Sequence, residues 1–214
     1  MSRFNSIILD VDSTLSAVEG IDWLAAQRGP DIKAWSVALT ERAMEGEVPI
    51  DAVYGERMRI VKPTLPEIRQ LGNVYIERLA TGAAETVAAL IADRIEVVMV
   101  SGGLREAILP LARELGVKEE NVYAVSVFFD EHGEYAGFDE ASLLTRQIGK
   151  RITVGQMQLK GPILAVGDGM TDCEIKSVVQ GFAAFTGFIR REAVIEQADY
   201  VIENFDQLRD LVLK

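Results

Sequence analysis

The chain has 214 residues, 49% hydrophobic and 26% charged, with a formal net charge of -11. This is globular composition, ample for a core in one large or two unequal domains. The acidic balance disfavours nucleic acid and anionic membranes, both of which reward clustered Lys and Arg, and no stretch approaches the roughly 18 apolar residues of a membrane span.

The first predicted element is the apolar run Ser6 to Leu9, a buried strand that delivers Asp10 and Asp12 one residue apart at its end. Residues two apart on an extended chain project to the same side, so both carboxylates can face one pocket. A local Asp/Ser turn is the alternative. Paired in a pocket, they need a cation. Asp10 also interrupts the run before it can serve as a signal peptide. Cys173 is the single cysteine, so no intrachain disulfide exists and a reducing, cytoplasmic setting is expected.

Residues 16–78 show mostly helical spacing: Ile21, Leu24 and Ala25, then Ala34, Val37, Ala38 and Ala43, then Val53, Met58 and Val61. Pro66 suits a helix's first turn. The reading is an all-helical cap, inserted after the first strand, over a core of residues 1–15 and 79–214. Its hinges fall near Ser16 and Thr81-Gly82, and Trp23 and Trp35 pack within it.

Further apolar runs at 95–100, 163–166, 182–185 and, more weakly, 199–202 alternate with helical stretches such as Arg105 to Leu115 and Thr171 to Val179. Strands alternating with helices argue for an α/β fold with a Rossmann-like, doubly wound parallel sheet, whose ligands sit beyond the carboxyl ends of the strands. The stretch NVYAVSVFFDEHGEYAGFD reads as a β-hairpin turning at Asp130 to Gly133.

Several chemistries lack material. The single histidine, His132, lies in the hydrophilic turn, which leaves little for serine–histidine catalysis or a His-rich metal site. Val179 stands six residues after Cys173, where a cysteine phosphatase loop needs Arg, so Cys173 reads as a packed small side chain. Gly149-Lys150 continues to Arg151, and Leu144 occupies the place of the upstream glycine of a Walker loop.

Carboxylate chemistry remains, at four places: Asp10-Val11-Asp12-Ser13-Thr14, Ser101-Gly102-Gly103, Gly149-Lys150 and Gly167-Asp168-Gly169-Met170-Thr171-Asp172. Asp10 and Asp168 would place hard oxygen ligands at two strand ends, a donor set suited to Mg²⁺. Alone, Gly-Asp-Gly is also an ordinary turn. Ser101-Gly102-Gly103, read as a helix start, offers a hydroxyl and backbone N–H groups to a phosphate-sized anion, or else marks a simple strand-to-helix turn.

Those four pieces, in that order, resemble the haloacid dehalogenase superfamily of aspartyl-phosphate phosphatases along the whole chain. Within it, the chain is similar to the phosphoserine phosphatase family in DVDSTL, EGIDWLA, RAMEGEVPIDAVYGER, VSGGLREAI, GEYAGFD, VGDGMTD and IRREAVIEQADYVI. The resemblance implies a Mg²⁺-dependent phosphomonoesterase of serine biosynthesis, acting on the small molecule O-phospho-L-serine. Phosphothreonine, phosphoethanolamine or a phospho-alcohol acceptor reaction are alternatives, and a phosphorylated Mg²⁺-binding switch is a rival of another class.

By resemblance, Asp10 is the nucleophile and Asp12 the general acid and base, with the Asp12 backbone carbonyl also on the metal. Asp10 and Asp168 hold Mg²⁺, with Asp172 behind them. Ser101, Gly102 and Gly103 receive the phosphoryl group, Thr171 lines the site, and Lys150, preferred to Lys160, screens charge. Glu19 pairs with the substrate ammonium and Arg57 with its carboxylate. Arg191 matches a residue near the site, with Arg190 as its neighbour and competitor, and Met44 is read as packing. The chain departs from the family pattern at Glu45 in place of Gly, Ile50 in place of an aromatic, and Gln147-Ile148 in place of Ser-Gly. A carboxylate at Glu45 near the pocket would weaken binding of an anionic substrate. Oligomeric state is not legible.

Overall fold

A computed structural model describes residues 3–214. From the amino end, β1 (Ser6–Leu9) is followed by α1 (Gly20–Ala26), α2 (Pro30–Met44), α3 (Tyr54–Val61) and α4 (Leu65–Glu77), with a 3-10 turn at Ile50–Ala52. Next come α5 (Ala83–Ala92), β2 (Glu96–Leu104), α6 (Arg105–Glu114), β3 (Val122–Val125), β4 (Val127–Phe129) and β5 (Tyr135–Phe138). The chain ends with α7 (Gly149–Gly155), β6 (Ile163–Gly167), α8 (Met170–Cys173), β7 (Gly181–Phe185), α9 (Glu192–Ile195), β8 (Tyr200–Ile202) and α10 (Phe205–Leu213).

Six strands form one parallel sheet in the order β3-β2-β1-β6-β7-β8. Every residue of β1 is buried, as expected in the middle of a helix-covered parallel sheet, and its one polar side chain, Ser6, donates to the Lys160 carbonyl at 2.8 Å. Leu9 stands opposite Met99 on one side and Val166 on the other. Strand order reverses between β1 and β6, which opens a crevice at their carboxyl ends. Ile7, Leu9, Met99, Val100, Leu164 and Phe182 are wholly buried in the core beneath it.

The chain entering the four helices after β1 pairs with the chain leaving them. Ser16 bridges antiparallel to Leu79, and Ala17 N–H donates to the Arg78 carbonyl at 2.9 Å. Helix α4 packs on α6, and α1 on α2. Glu67 in the first turn of α4 accepts the Thr64 N–H at 2.8 Å, with Pro66 beside it as the sequence suggests. Arg28 clamps the same carboxylate at 2.6 and 2.7 Å, tying the end of α1 to the start of α4. Among the described residues, no helix is long and apolar enough to cross a membrane.

The structure corrects the sequence reading at three places. Ser101-Gly102-Gly103 lies inside β2, which runs on to Leu104, and α6 begins only at Arg105. The register with β3 slips between Val100 and Leu104, so the glycines form an irregular strand end instead of a helix start. The stretch from Asn121 is divided: Val122–Val125 becomes the edge strand β3, with Val122 and Val125 buried against the sheet, and only Val127–Phe129 pairs with Tyr135–Phe138. Asp130 Oδ1 accepts the N–H groups of His132 and Glu134 at 2.9 Å and closes that hairpin. The stretch Thr171 to Val179 is a short helix, α8, continued by a 3-10 turn from Glu174 to Val178.

Candidate active site

The site is built where β1, β2 and β6 end. Asp10 N–H extends the ladder to the Val166 carbonyl at 3.0 Å, after which the chain turns, with Ser13 in the left-handed region at φ 52°. This turn aims Asp10 and Asp12 into one pocket, whose other lining residues include Glu19, Arg57, Ser101, Gly102, Gly103, Lys150, Asp168 and Thr171.

Lys150, in the first turn of α7, places its Nζ 2.7 Å from both Asp10 Oδ1 and Asp172 Oδ1. Asp168, at the end of β6, accepts from Thr14 Oγ1 at 3.1 Å and pairs with Arg191. One oxygen each of Asp10, Asp168 and Asp172 lies within 4.8 Å of the others, all three residues being buried. Gly167 makes this approach possible, because a Cβ there would lie 2.1 Å from Asp172 Cγ.

Burial and then the neighbouring Asp172 push the Asp10 carboxyl well above its usual range, against the pull of Lys150. Burial lifts Asp168 to about 6 despite Arg191. Burial alone would lower Lys150, but Asp10 and Asp172 hold it above its ordinary value. The cluster thus carries more negative charge than its cations offset, and its hard oxygen donors fit a divalent cation. Among the described residues, Asp10, Asp168 and Asp172 form a group close enough to hold one.

Asp12 stands apart from that cluster. Its Oδ1 accepts from Gly20 N–H at 2.6 Å and Tyr75 Oη at 2.7 Å, and its Oδ2 from Ser101 Oγ at 3.2 Å. Burial raises its pKa, with the Tyr75 and Gly20 bonds opposing. Gly20 has no room for a side chain, since a Cβ would meet Tyr75 Oη at 2.1 Å. Ser101 Oγ also accepts the Gly103 N–H at 2.9 Å, and the Gly102 carbonyl accepts from Tyr54 Oη at 2.8 Å.

On the opposite wall, Glu19 accepts from Ser13 Oγ at 2.6 Å. Burial, then Asp12 and Asp168, push its pKa well above the usual range, the signature of a carboxylate short of a cation. Arg57 is buried against Asp22, Nη2 to Oδ1 at 2.6 Å, and its Nε donates to Ser36 Oγ at 3.1 Å. Ser36 and Thr40, one turn apart on α2, both donate to Asp22.

Lys160 is exposed, while the Lys150 ammonium sits among the carboxylates. Arg190 is exposed on Glu192, while Arg191 is buried on Asp168 and lies outside the lining of the pocket. Met44 and Ile50 line the pocket. Glu45 does not, and stands 3.8 Å from Arg191 Nε instead. Burial pushes the Cys173 thiol up to about 12, which disfavours the thiolate form.

Sequence reasoning missed Asp22, Ser36, Tyr54, Tyr75 and Arg146, of which Tyr54 and Arg146 line the pocket. A faint signal existed for Ser36 and Thr40, a polar pair one turn apart on an otherwise mixed helix. Tyr75 carried none, because an aromatic at helical spacing reads as core.

The chain is 36% identical over 210 residues to the chloroplastic phosphoserine phosphatase of Arabidopsis thaliana, covering 95% of this chain and 70% of that protein. The phosphoserine phosphatase of Rattus norvegicus is 32% identical over 207 residues, covering 95% and 91%. The chain belongs to the phosphoserine phosphatase family. Members of the phosphoserine phosphatase family are phosphoric monoester hydrolases, and so is this chain. A phosphoserine phosphohydrolase-like protein from Francisella tularensis superposes with a TM-score of 0.86 at 28% identity, over 97% of this chain and 99% of that one. A substrate-bound phosphoserine phosphatase superposes at 0.82 with 21% identity, covering 97% and 98%, which speaks for the shared haloacid dehalogenase fold. No family model matches the chain.

Proposed function

We propose that the chain hydrolyses O-phospho-L-serine to L-serine and phosphate through a phosphoryl group carried on Asp10. The observation that carries the substrate is the placing of Glu19 and Arg57, a carboxylate and a guanidinium, in the one pocket that also holds Asp10. A zwitterionic amino acid meets both charges. The raised Glu19 pKa gains from an ammonium, and Arg57 still presents Nη1 after bonding Asp22 and Ser36.

In this reading an Asp10 oxygen attacks phosphorus as the ester P–O bond breaks, and Asp12 gives its proton to the departing serine oxygen. Water then attacks the aspartyl phosphate, loses its proton to Asp12, and releases phosphate with Asp10 restored. The raised pKa of Asp12 suits it to carry that proton. Asp10 and Asp168, with Asp172 beside them and the Asp12 carbonyl near, would hold Mg²⁺, which would supply positive charge for the phosphoryl oxygens. Lys150, Ser101, the Gly102-Gly103 backbone and Thr171 receive the phosphoryl group. We assign Arg191 to fixing Asp168 rather than to the substrate. Residues 16–78 act as the selecting cap over the reacting core.

Phosphate release tests this, measured with Mg²⁺ and with chelator across L-phosphoserine, phosphothreonine, phosphoethanolamine and glycerol phosphate. Preference for L-phosphoserine that disappears with chelator is expected. Preference for phosphoethanolamine would overturn the carboxylate role of Arg57, and full activity in chelator would overturn the metal.

A further inference from the structure

We propose that Arg146 is a capture residue, a guanidinium at the pocket mouth that draws in the substrate's phosphoryl dianion before Lys150 and Ser101 receive it. The proposal rests on the phosphomonoesterase reading above. Arg146 lines two adjoining concavities: the pocket of Asp10 and Lys150, and an outer groove that also contains Arg59, Asp51 and Glu140.

The charge balance of the site favours such a residue. The chain is -11 overall, and the pocket lining includes Asp10, Asp12, Glu19 and Asp168, so an approaching dianion meets a repulsive field. The inner cations are already engaged, Lys150 with Asp10 and Asp172, Arg57 with Asp22, and Arg191 with Asp168. Arg146 is exposed and, among the described residues, pairs with no carboxylate. Its guanidinium is the lining cation left with its charge uncommitted.

The backbone around it is held by hydrogen bonds. Arg146 N–H donates to the Leu143 carbonyl at 3.0 Å, and the Arg146 carbonyl accepts from Gly149 N–H at 3.0 Å. Next to it, Gln147 N–H donates to Asp51 Oδ1 at 3.2 Å, and Gln147 Oε1 accepts from Ile50 N–H at 3.4 Å. Arg146 therefore sits beside the contact between the 3-10 turn at Ile50–Ala52 and the segment leading into α7, where the two concavities share lining residues.

The test compares wild type, Arg146→Gln and Arg146→Lys, with Mg²⁺, on L-phosphoserine and phosphoethanolamine at low and high salt. Arg146→Gln should lower kcat/KM about 5-fold to 10-fold on both compounds at low salt, mainly through KM, and the gap should close at high salt as the charge is screened. Arg146→Lys should restore most of the loss, because capture needs charge more than a planar fork. Equal kinetics of wild type and Arg146→Gln at low salt would overturn the proposal, as would a loss confined to L-phosphoserine, which would mean a carboxylate contact. Calorimetric binding of orthophosphate gives a readout independent of turnover: weaker binding in Arg146→Gln supports capture, and equal binding sinks it. Failure of wild type on L-phosphoserine alone, with another phosphomonoester cleaved, strikes the substrate reading and leaves this comparison intact.

Discussion

Tyr75 Oη donates to Asp12 Oδ1 at 2.7 Å, so a side chain of α4, in the inserted helices, steadies a carboxylate at the edge of the central sheet. The bond favours the ionised carboxylate, while burial favours the protonated one. Tyr75→Phe removes the first influence and leaves the second. The Asp12 pKa should rise, moving the corresponding limb of the pH–rate profile to higher pH, and turnover near neutrality should fall roughly 10-fold. A profile that keeps its position would show that Tyr75 only fills space.

Asp10→Asn should cut turnover by roughly 10³-fold or more, since an amide oxygen is a poor nucleophile toward phosphorus. The variant should stay folded, with a thermal midpoint no lower than wild type. Asp10 is buried among like charges, and a neutral amide relieves that repulsion while keeping an acceptor for Lys150. Near wild-type rates in purified Asp10→Asn would exclude the covalent route.

Arg57 serves two purposes, and they can be separated. Arg57→Ala leaves Asp22 buried without its ion-pair partner, which should cost about 3 kcal/mol in urea denaturation, and it should also reduce the preference for L-phosphoserine over phosphoethanolamine. Adding Asp22→Asn should recover much of the stability and none of the preference. Recovery of both would mean that Arg57 acts on substrate only through the fold.

Glu67 gives a pH-dependent term. The hydrogen bonds from Arg28, more than burial opposes, hold its carboxyl down at about 2, against an ordinary 4.5. A lowered carboxyl contributes its stability above 4.5 and loses it as the pH falls from there toward 2. Glu67→Ala should lower stability by about 1 kcal/mol near neutrality, through the lost helix-start bond and the Arg28 clamp. The difference from wild type should fade over that acidic interval, as measured by urea titration at several pH values.

What could be read in the sequence was local. The runs at Ile7 to Leu9, Leu164 to Val166 and Phe182 to Phe185 are apolar without alternation, a pattern that a buried parallel strand imposes on its own residues. The acidic and glycine motifs follow such runs directly, so strand-end placement of Asp10 and Asp168 was legible, whereas the crevice between β1 and β6 follows from the strand order of the folded sheet. Helical spacing likewise marked the run of helices that follows β1.

Tertiary structure alone decided what those residues meet. Composition cannot say that Val122 to Val125 leaves the hairpin for the sheet edge, because Val and Tyr suit either pairing and the choice depends on β2 as a neighbour. Nor can it turn Glu45 toward Arg191, place Arg191 on Asp168, or bring Asp22 to Arg57 and Tyr75 to Asp12. Those pairs come from different elements, with Tyr75 and Asp12 63 positions apart, and each is fixed by the packing of whole helices on the sheet. Local periodicity records which face of an element is buried; only the folded chain records which buried groups share it.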